Sequence, residues 1–195
     1  MNIALLDPFE LNIPNEITNT LNHSLLTTCI SFNRRGSLLA AGSRLGTCFI
    51  WDLATVAVSV ELKGHAYPIT MLSWSRCGRY LLSCSLDWNC IIWDLKTKRR
   101  QDTIRFSSPV LGGVVHPKFS DTFCVITQQH TPTLMIKSQN EWTRSSLIPP
   151  DKYANLLAST VTFTPNGNHI FVGTNKGTIL VYSTQTQEVL FVNLV

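Results

Sequence analysis

The sequence predicts an all-β chain built from four blade-like units, and three observations carry that prediction. The segment "CFIWDL" at residues 48–53 returns as "CIIWDL" at residues 90–95, and the match extends at a constant offset of 42 residues. It places Phe32 over Trp74, Gly36 over Gly78, Leu39 over Leu81, Ser43 over Ser85 and Trp51 over Trp93. A further copy, "VTFTPNGNHIFVGTNKGTILVYS", lies 89 residues on and sets Gly167 against Gly78, Gly177 against Trp88 and Gly46, and Tyr182 against Trp93. Between these copies, "VVHPKFSDTFCVITQQHTPTLMIKS" keeps an apolar run, a turn and a second apolar run but has lost the Trp-Asp pair. A period of about 40 to 45 residues with a Gly-His…Trp-Asp signature is that of a WD40 β-propeller.

The units fall at about residues 26–62, 63–107, 108–149 and 150–195, and residues 1–25 form an N-terminal segment suited to a closing strand plus loop. The second unit divides most clearly, into "ITMLSW", "RYLLSCS", "NCIIWDL" and "QDTIRF". Its breaks are Cys77-Gly78, Leu86-Asp87 and a charged stretch from Lys96 to Arg100. Apolar residues on both sides of the pleat mean strands covered on both faces, as when four-stranded blades stack. A blade cannot bury both faces alone, so its stability comes from its neighbours. Four units use all 195 residues, whereas most propellers of this repeat class close with about seven blades. The expectation is therefore a partial, open seven-bladed propeller, the N-terminal part of a longer one; a closed four-bladed ring is the alternative.

Composition agrees with a globular chain: 44% of residues are hydrophobic and 14% charged, with no apolar run near the ~20 residues that span a bilayer. The start, "MNIALLDPF", has no basic residue before Arg34 and so lacks a signal peptide's positive region. Six cysteines, at 29, 48, 77, 84, 90 and 124, form no CxxC pair. Most fall inside predicted strands, where a free thiol acts as a small apolar side chain, and the reading is a reducing cytosolic or nuclear compartment.

His65, Ser83, Asp87 and Trp93 are the candidate site of the second unit. Ser, His and Asp are the parts of a nucleophilic triad. Their spacing points elsewhere: His65 precedes the first strand, Asp87 sits in the turn between the second and third, and Trp93 lies on the third. WD40 repeats use these positions for a structural hydrogen-bonded tetrad that satisfies the Trp N–H and locks the loops. Nothing around Ser83 forms a G-x-S-x-G elbow. The first unit has Leu45 where Asp87 aligns and the fourth has Lys176, so packing alone must hold them and the second blade is expected to be the most rigid. No catalytic, cofactor-binding or metal site is implied. The histidines at 23, 116, 130 and 169 are scattered as loop or turn residues rather than ligands, and the ten glycines form no phosphate-binding loop.

The conspicuous surface feature is charge. The chain carries a net +4, with Arg34 and Arg35 in "NRRG" and Lys96, Lys98, Arg99 and Arg100 in "KTKRR", both in predicted turns. Solubilising loops are the plain reading; an anionic partner such as DNA or an acidic protein segment, or a nuclear import signal in "KTKRR", is the alternative.

Four stretches carry a family resemblance: "MNIALLDPFELN", "TCISFNRRGSLLAAGSRLGTCFIWDLAT", "GHAYPITMLSWSRCGRYLLSCSLDWNCIIWDL" and "RFSSPVLGGVVHPK". Together they resemble the N-terminal half of the retinoblastoma-binding protein 5 family, whose fungal members are the Swd1-type WD-repeat subunits of the COMPASS histone methyltransferase. The resemblance implies a non-catalytic scaffold in a nuclear complex that methylates a lysine of histone H3. Its partners would be the other subunits and nucleosomal DNA, with no membrane and no small-molecule substrate, and a separate SET-domain subunit would do the chemistry with S-adenosylmethionine. A generic WD40 adaptor, such as a ubiquitin-ligase substrate receptor or RNA-processing subunit, would share the blade motifs but not the N-terminal start or "RFSSPVL…HP".

Overall fold

Short apolar runs separated by turns give sixteen strands among the described residues, in four antiparallel sheets of four. The structure, a computed structural model, describes residues 20, 21, 24–153 and 155–194. The segment assigned to residues 1–25 lies almost wholly outside them. Blade 1 is β1 (Thr27–Phe32), β2 (Leu38–Ser43), β3 (Thr47–Asp52) and β4 (Ala57–Lys63). Blade 2 is β5 (Ile69–Trp74), β6 (Tyr80–Ser85), β7 (Asn89–Asp94) and β8 (Arg99–Arg105). Blade 3 is β9 (Val110–Val115), β10 (Thr122–Thr127), β11 (Pro132–Ser138) and β12 (Glu141–Ser146). Blade 4 is β13 (Ala158–Phe163), β14 (His169–Thr174), β15 (Thr178–Ser183) and β16 (Val189–Leu194). The third unit makes a complete blade without the Trp-Asp pair, because its two central strands are buried on both faces, with Phe123, Cys124, Val125, Leu134 and Met135 fully buried.

The repeat is kept in the turns. Gly36, Gly78 and Gly167 all take positive φ, and each N–H closes the first turn of its blade onto the carbonyl of Asn33, Ser75 or Thr164. A second left-handed position is filled by Gly46 in blade 1 and Gly177 in blade 4, but by Trp88 at φ 71° in blade 2. One boundary differs from expectation: β8 starts at Arg99, so Arg99 and Arg100 belong to a strand rather than a turn. Lys98 adopts φ 56°, as Val56 does at 55° in blade 1, and this tight turn lets the strand resume at once.

Adjacent blades pack face to face through apolar seams. Ala40, Ile50 and Leu62 of blade 1 meet Leu72, Leu81 and Trp93 of blade 2. Leu82, Cys90 and Ile92 meet Phe123, Val125 and Met135 across the second seam. Cys124, Ile126 and Leu134 meet Val161, Val172 and Tyr182 across the third. Each aliphatic side chain buried there contributes about 1.5–3 kcal/mol relative to exposure. Hydrogen bonds set the blades in register. A bulge on the first strand turns Thr28 and Thr70 aside, and their hydroxyls donate to Ile69 O at 2.6 Å and Val110 O at 2.9 Å in the next blade. At the other end of the same strands, Trp74 Nε1 donates to Ser31 O and Val115 N to Ser73 Oγ. The first strands therefore run side by side in one direction. One end of the arc, here the lower end, carries the β1–β2, β3–β4, β5–β6 and β7–β8 turns; the upper end carries the β2–β3 and β6–β7 turns and the blade-to-blade loops.

The blades form an open arc, with no closed sheet among the described residues. Ile30 and Phe32, on the face of blade 1 turned away from blade 2, are 61% and 57% exposed, and Phe191 on the far face of blade 4 is 50% exposed.

Candidate functional site

At the upper end of blade 2 the four residues singled out above join in one chain of hydrogen bonds. Gly64 leads into the β4–β5 loop that presents His65, β6 carries Ser83, the β6–β7 turn carries Asp87, and β7 carries Trp93. Trp93 Nε1 donates to Ser83 Oγ at 2.8 Å. Because an indole can only donate, the Ser83 hydroxyl is left to donate to His65 Nε2 at 2.7 Å. The ring proton then sits on Nδ1, 2.8 Å from Asp87 Oδ2. Asp87 is held in turn by the N–H groups of Ala66, at 3.1 Å, and Asn89, at 3.0 Å. Burial pushes the His65 pKa below its ordinary value, more strongly than Asp87 raises it. Burial alone would raise the Asp87 carboxyl, but His65 and the two backbone N–H groups outweigh it and hold the group below the usual carboxylate range.

The chain has the connectivity of a Ser-His-Asp triad, yet its serine is 0% exposed and its oxygen already accepts from Trp93. A substrate carbonyl has no path to that oxygen. The other blades lack the full set. Blade 1 has Ala41 at the Ser83 position and Leu45, 66% exposed, at the Asp87 position. His23 stands 42 residues before His65 and lies outside the described residues. In blade 4, Val172 replaces the serine, so the Tyr182 hydroxyl is buried with no hydrogen-bond partner among the described residues. Its pKa is pushed up to about 12 by burial.

Two histidines read as loop residues link blades 3 and 4 instead. His116 is buried; its Nδ1 accepts from the N–H groups of Lys118 and Phe119, which leaves Nε2 to donate to Gly167 O at 3.0 Å. His130 Nδ1 donates to Ala158 O at 2.9 Å near the other end of the seam. His130 was marked by neither spacing nor motif, whereas His116 is the histidine of the "RFSSPVL…HP" stretch, noted above for resemblance and not for this contact. Among the described residues, no three His, Cys, Asp or Glu side chains lie close enough to hold a metal ion.

Of the candidate contact residues, Arg34 and Arg35 in the β1–β2 turn and Lys96 and Lys98 in the β7–β8 turn share the lower end. Arg99 and Arg100 line a hollow there with Asp94 and Thr97. Arg100 also reaches along the blade, because Gly64 has no side chain in a place where a β-carbon would stand 3.2 Å from its Nε. Sequence reasoning missed Arg76, although it stands 42 residues after Arg34 and so was open to discovery by the repeat. Arg79, also at this end, is bound to Asp94 at 2.7 Å, and that guanidinium draws the Asp94 carboxyl down to about 2.

Comparison with known proteins gives a consistent result. The WD domain, G-beta repeat family matches residues 15–52 and 57–94. The chain is 35% identical over 190 residues to a retinoblastoma-binding protein 5 homolog of Drosophila melanogaster, covering 97% of this chain and 38% of that protein. It is 33% identical over 207 residues to the Set1 complex component swd1 of Schizosaccharomyces pombe, covering 97% of this chain and 50% of the relative. The COMPASS component SWD1 of Saccharomyces cerevisiae is 34% identical over 201 residues, with 93% and 46% covered. Among solved structures, the Cps50 (Swd1) β-propeller domain of Myceliophteria thermophila superposes with a TM-score of 0.86 at 37% identity, covering 93% of this chain and 59% of that one. The chain thus spans half or less of the length of these curated relatives.

Proposed function

We propose a function that proceeds from one premise: the chain belongs to the retinoblastoma-binding protein 5/Swd1 family of WD40-repeat proteins. On that premise it acts as a scaffold subunit of a COMPASS-like histone H3 lysine methyltransferase complex in the nucleus, supporting complex assembly and nucleosome engagement. The observation that carries this reading is identity of 33% and 34% over nearly the whole chain to proteins named as components of the Set1 complex and of COMPASS. The role is non-catalytic, and the sealed Ser83 supports it, since His65, Ser83, Asp87 and Trp93 then serve to lock blade 2.

The basic turns supply the nucleosome contact in this proposal. Arg34, Arg35, Lys96, Lys98 and Arg99 lie at one end of two adjacent blades, and each phosphate they neutralise would release about 0.9 counterion. The experiment has two parts. Tagged chain is recovered from nuclear extract and its bound subunits identified; recovery without methyltransferase subunits sinks the scaffold reading. A complex reconstituted with the full-length relative is then titrated onto nucleosomes at several salt concentrations. Charge reversal at Arg34, Arg35 and Lys98 should flatten the dependence of log affinity on log salt by roughly 0.9 per lost contact. Equal slopes would remove these turns from the interface.

A further inference from the structure

The lower end of blades 1 and 2 holds a trough that the tetrad and the blade seams leave unused. Two hollows of about 590 and 530 Å³ share Arg34 and Arg76 in their walls. The larger lies at the ends of the first strands and draws on all four blades, with Trp74, Val114, Pro117 and Pro165 supplying apolar lining. The smaller continues between the first turns of blades 1 and 2, where Arg35 joins the lining. Every charged side chain lining the two hollows is an arginine. Asp94, at the same end of blade 2, is paired with Arg79 and is not in the lining of either hollow. Among the described residues no carboxylate lines either hollow, so the three guanidinium groups there repel one another, and an anionic occupant relieves that repulsion.

We infer that this trough binds an acidic peptide segment carrying a leucine- or phenylalanine-like anchor, with carboxylates on Arg34, Arg35 and Arg76 and the anchor against Trp74, Val114, Pro117 and Pro165. The lining favours a peptide over a nucleic acid. Guanidinium groups pair with carboxylates and phosphates alike, so the apolar lining decides: the valine and proline surfaces would bury an aliphatic or aromatic side chain while offering a phosphodiester nothing. The inference needs only the trough's own lining and leaves the scaffold role untouched, but it gives Arg34 and Arg35 to a peptide in place of the DNA contact proposed above, and the DNA arm of the test decides between the two.

The test uses the whole 195-residue chain and a fluorescein-labelled ten-residue peptide of alternating acidic residues around a central leucine. Anisotropy titrations compare it with an Asn/Gln peptide, a peptide with glycine for the leucine, and DNA oligonucleotides, single-stranded and duplex, of equal charge. Binding should weaken about five- to thirtyfold in R34E/R76E, on the scale of one to two exposed ion pairs. It should persist in K96E/K98E, which carries the same charge change outside the trough. A peptide with lysines for its acidic residues should bind R34E/R76E better than it binds the parent chain. If R34E/R76E loses its β-sheet circular dichroism, R34Q/R76Q replaces it in the same comparison. Equal affinity for the Asn/Gln peptide, equal loss in K96E/K98E, no loss from the glycine replacement, or tighter and equally arginine-dependent binding of DNA would each overturn the inference.

Discussion

Replacing His65 with alanine is the most direct test of the hydrogen-bonded chain in blade 2. The imidazole is fully buried and makes two bonds, to Asp87 at 2.8 Å and to Ser83 at 2.7 Å. Without it, Asp87 keeps the N–H groups of Ala66 and Asn89, so the carboxylate is only partly deprived. Ser83 fares worse: its hydroxyl still accepts from Trp93, but its remaining acceptor is Ile91 O at 3.4 Å. A neutral hydrogen bond contributes about 1 kcal/mol net and one to a charged group about 1.5–3. Water returning to Asp87 recovers part of that, and the expected cost is about 2–3 kcal/mol. For a chain of this length, that lowers Tm by roughly 4–12 °C. The assay is urea and thermal unfolding of wild type, His65→Ala and the exposed control Leu45→Ala at one protein concentration, because association shifts apparent stability. Leu45→Ala should change stability by less than about 0.5 kcal/mol. A His65→Ala midpoint equal to that of Leu45→Ala would refute the reasoning, and unchanged stability with loss of an activity would return Ser83 to consideration as a nucleophile.

Gly46→Ala should be among the costliest single changes, at about 2–4 kcal/mol, since it combines a positive φ with a β-carbon only 2.3 Å from the His65 carbonyl oxygen; a urea midpoint within error of wild type would contradict the packing of the β2–β3 turn against the next blade. Thr70→Val should cost about 1 kcal/mol by removing the bond to Val110 O, and hydrogen exchange should quicken at the seam between blades 2 and 3 before it does elsewhere. Acid should destabilise the chain. His65 and His116 both have folded pKa values below 6.5, so as pH falls below 6.5 the unfolded state binds more protons than the folded one. Asp87, also depressed, adds to the loss as pH falls below 3.8 and on through its folded pKa. Urea midpoints rising between pH 7 and 5 would reverse that sign. With Ile30, Phe32 and Phe191 half or more exposed on the two end faces, the isolated chain should self-associate, and a monodisperse monomer by light scattering would count against those faces being bare.

Much of this was legible in the sequence because a propeller repeats its local rules. The turn glycines at 36, 78 and 167 and the residues of the Trp93 position recur at offsets of 42 and 89 residues, and the room between copies, filled by an apolar run, a turn and a second apolar run, located the third blade after its signature had gone. The start of β8 was misplaced because a charged edge strand, solvated on its outer side, looks like a turn in composition, and only the φ of Lys98 separates the two. His116 and His130 passed for loop residues because their partners, Gly167 and Ala158, lie 51 and 28 residues away in another blade.

Sequence by itself determined the blade count, the strand order within each blade and the members of the tetrad, since each depends on residues within about 30 positions of one another and on turn chemistry that any copy of the repeat must satisfy. Tertiary structure alone decided what the blades make together. It sealed Ser83 behind Trp93, set Thr70 against Val110, and brought Arg34 and Arg76 to the walls of one trough with Pro117 and Pro165. The physical reason is that a blade's faces and turn ends are specified locally, whereas their neighbours are supplied by stacking, and stacking joins residues some 40 positions apart through packing and charge that leave no period of their own in the chain.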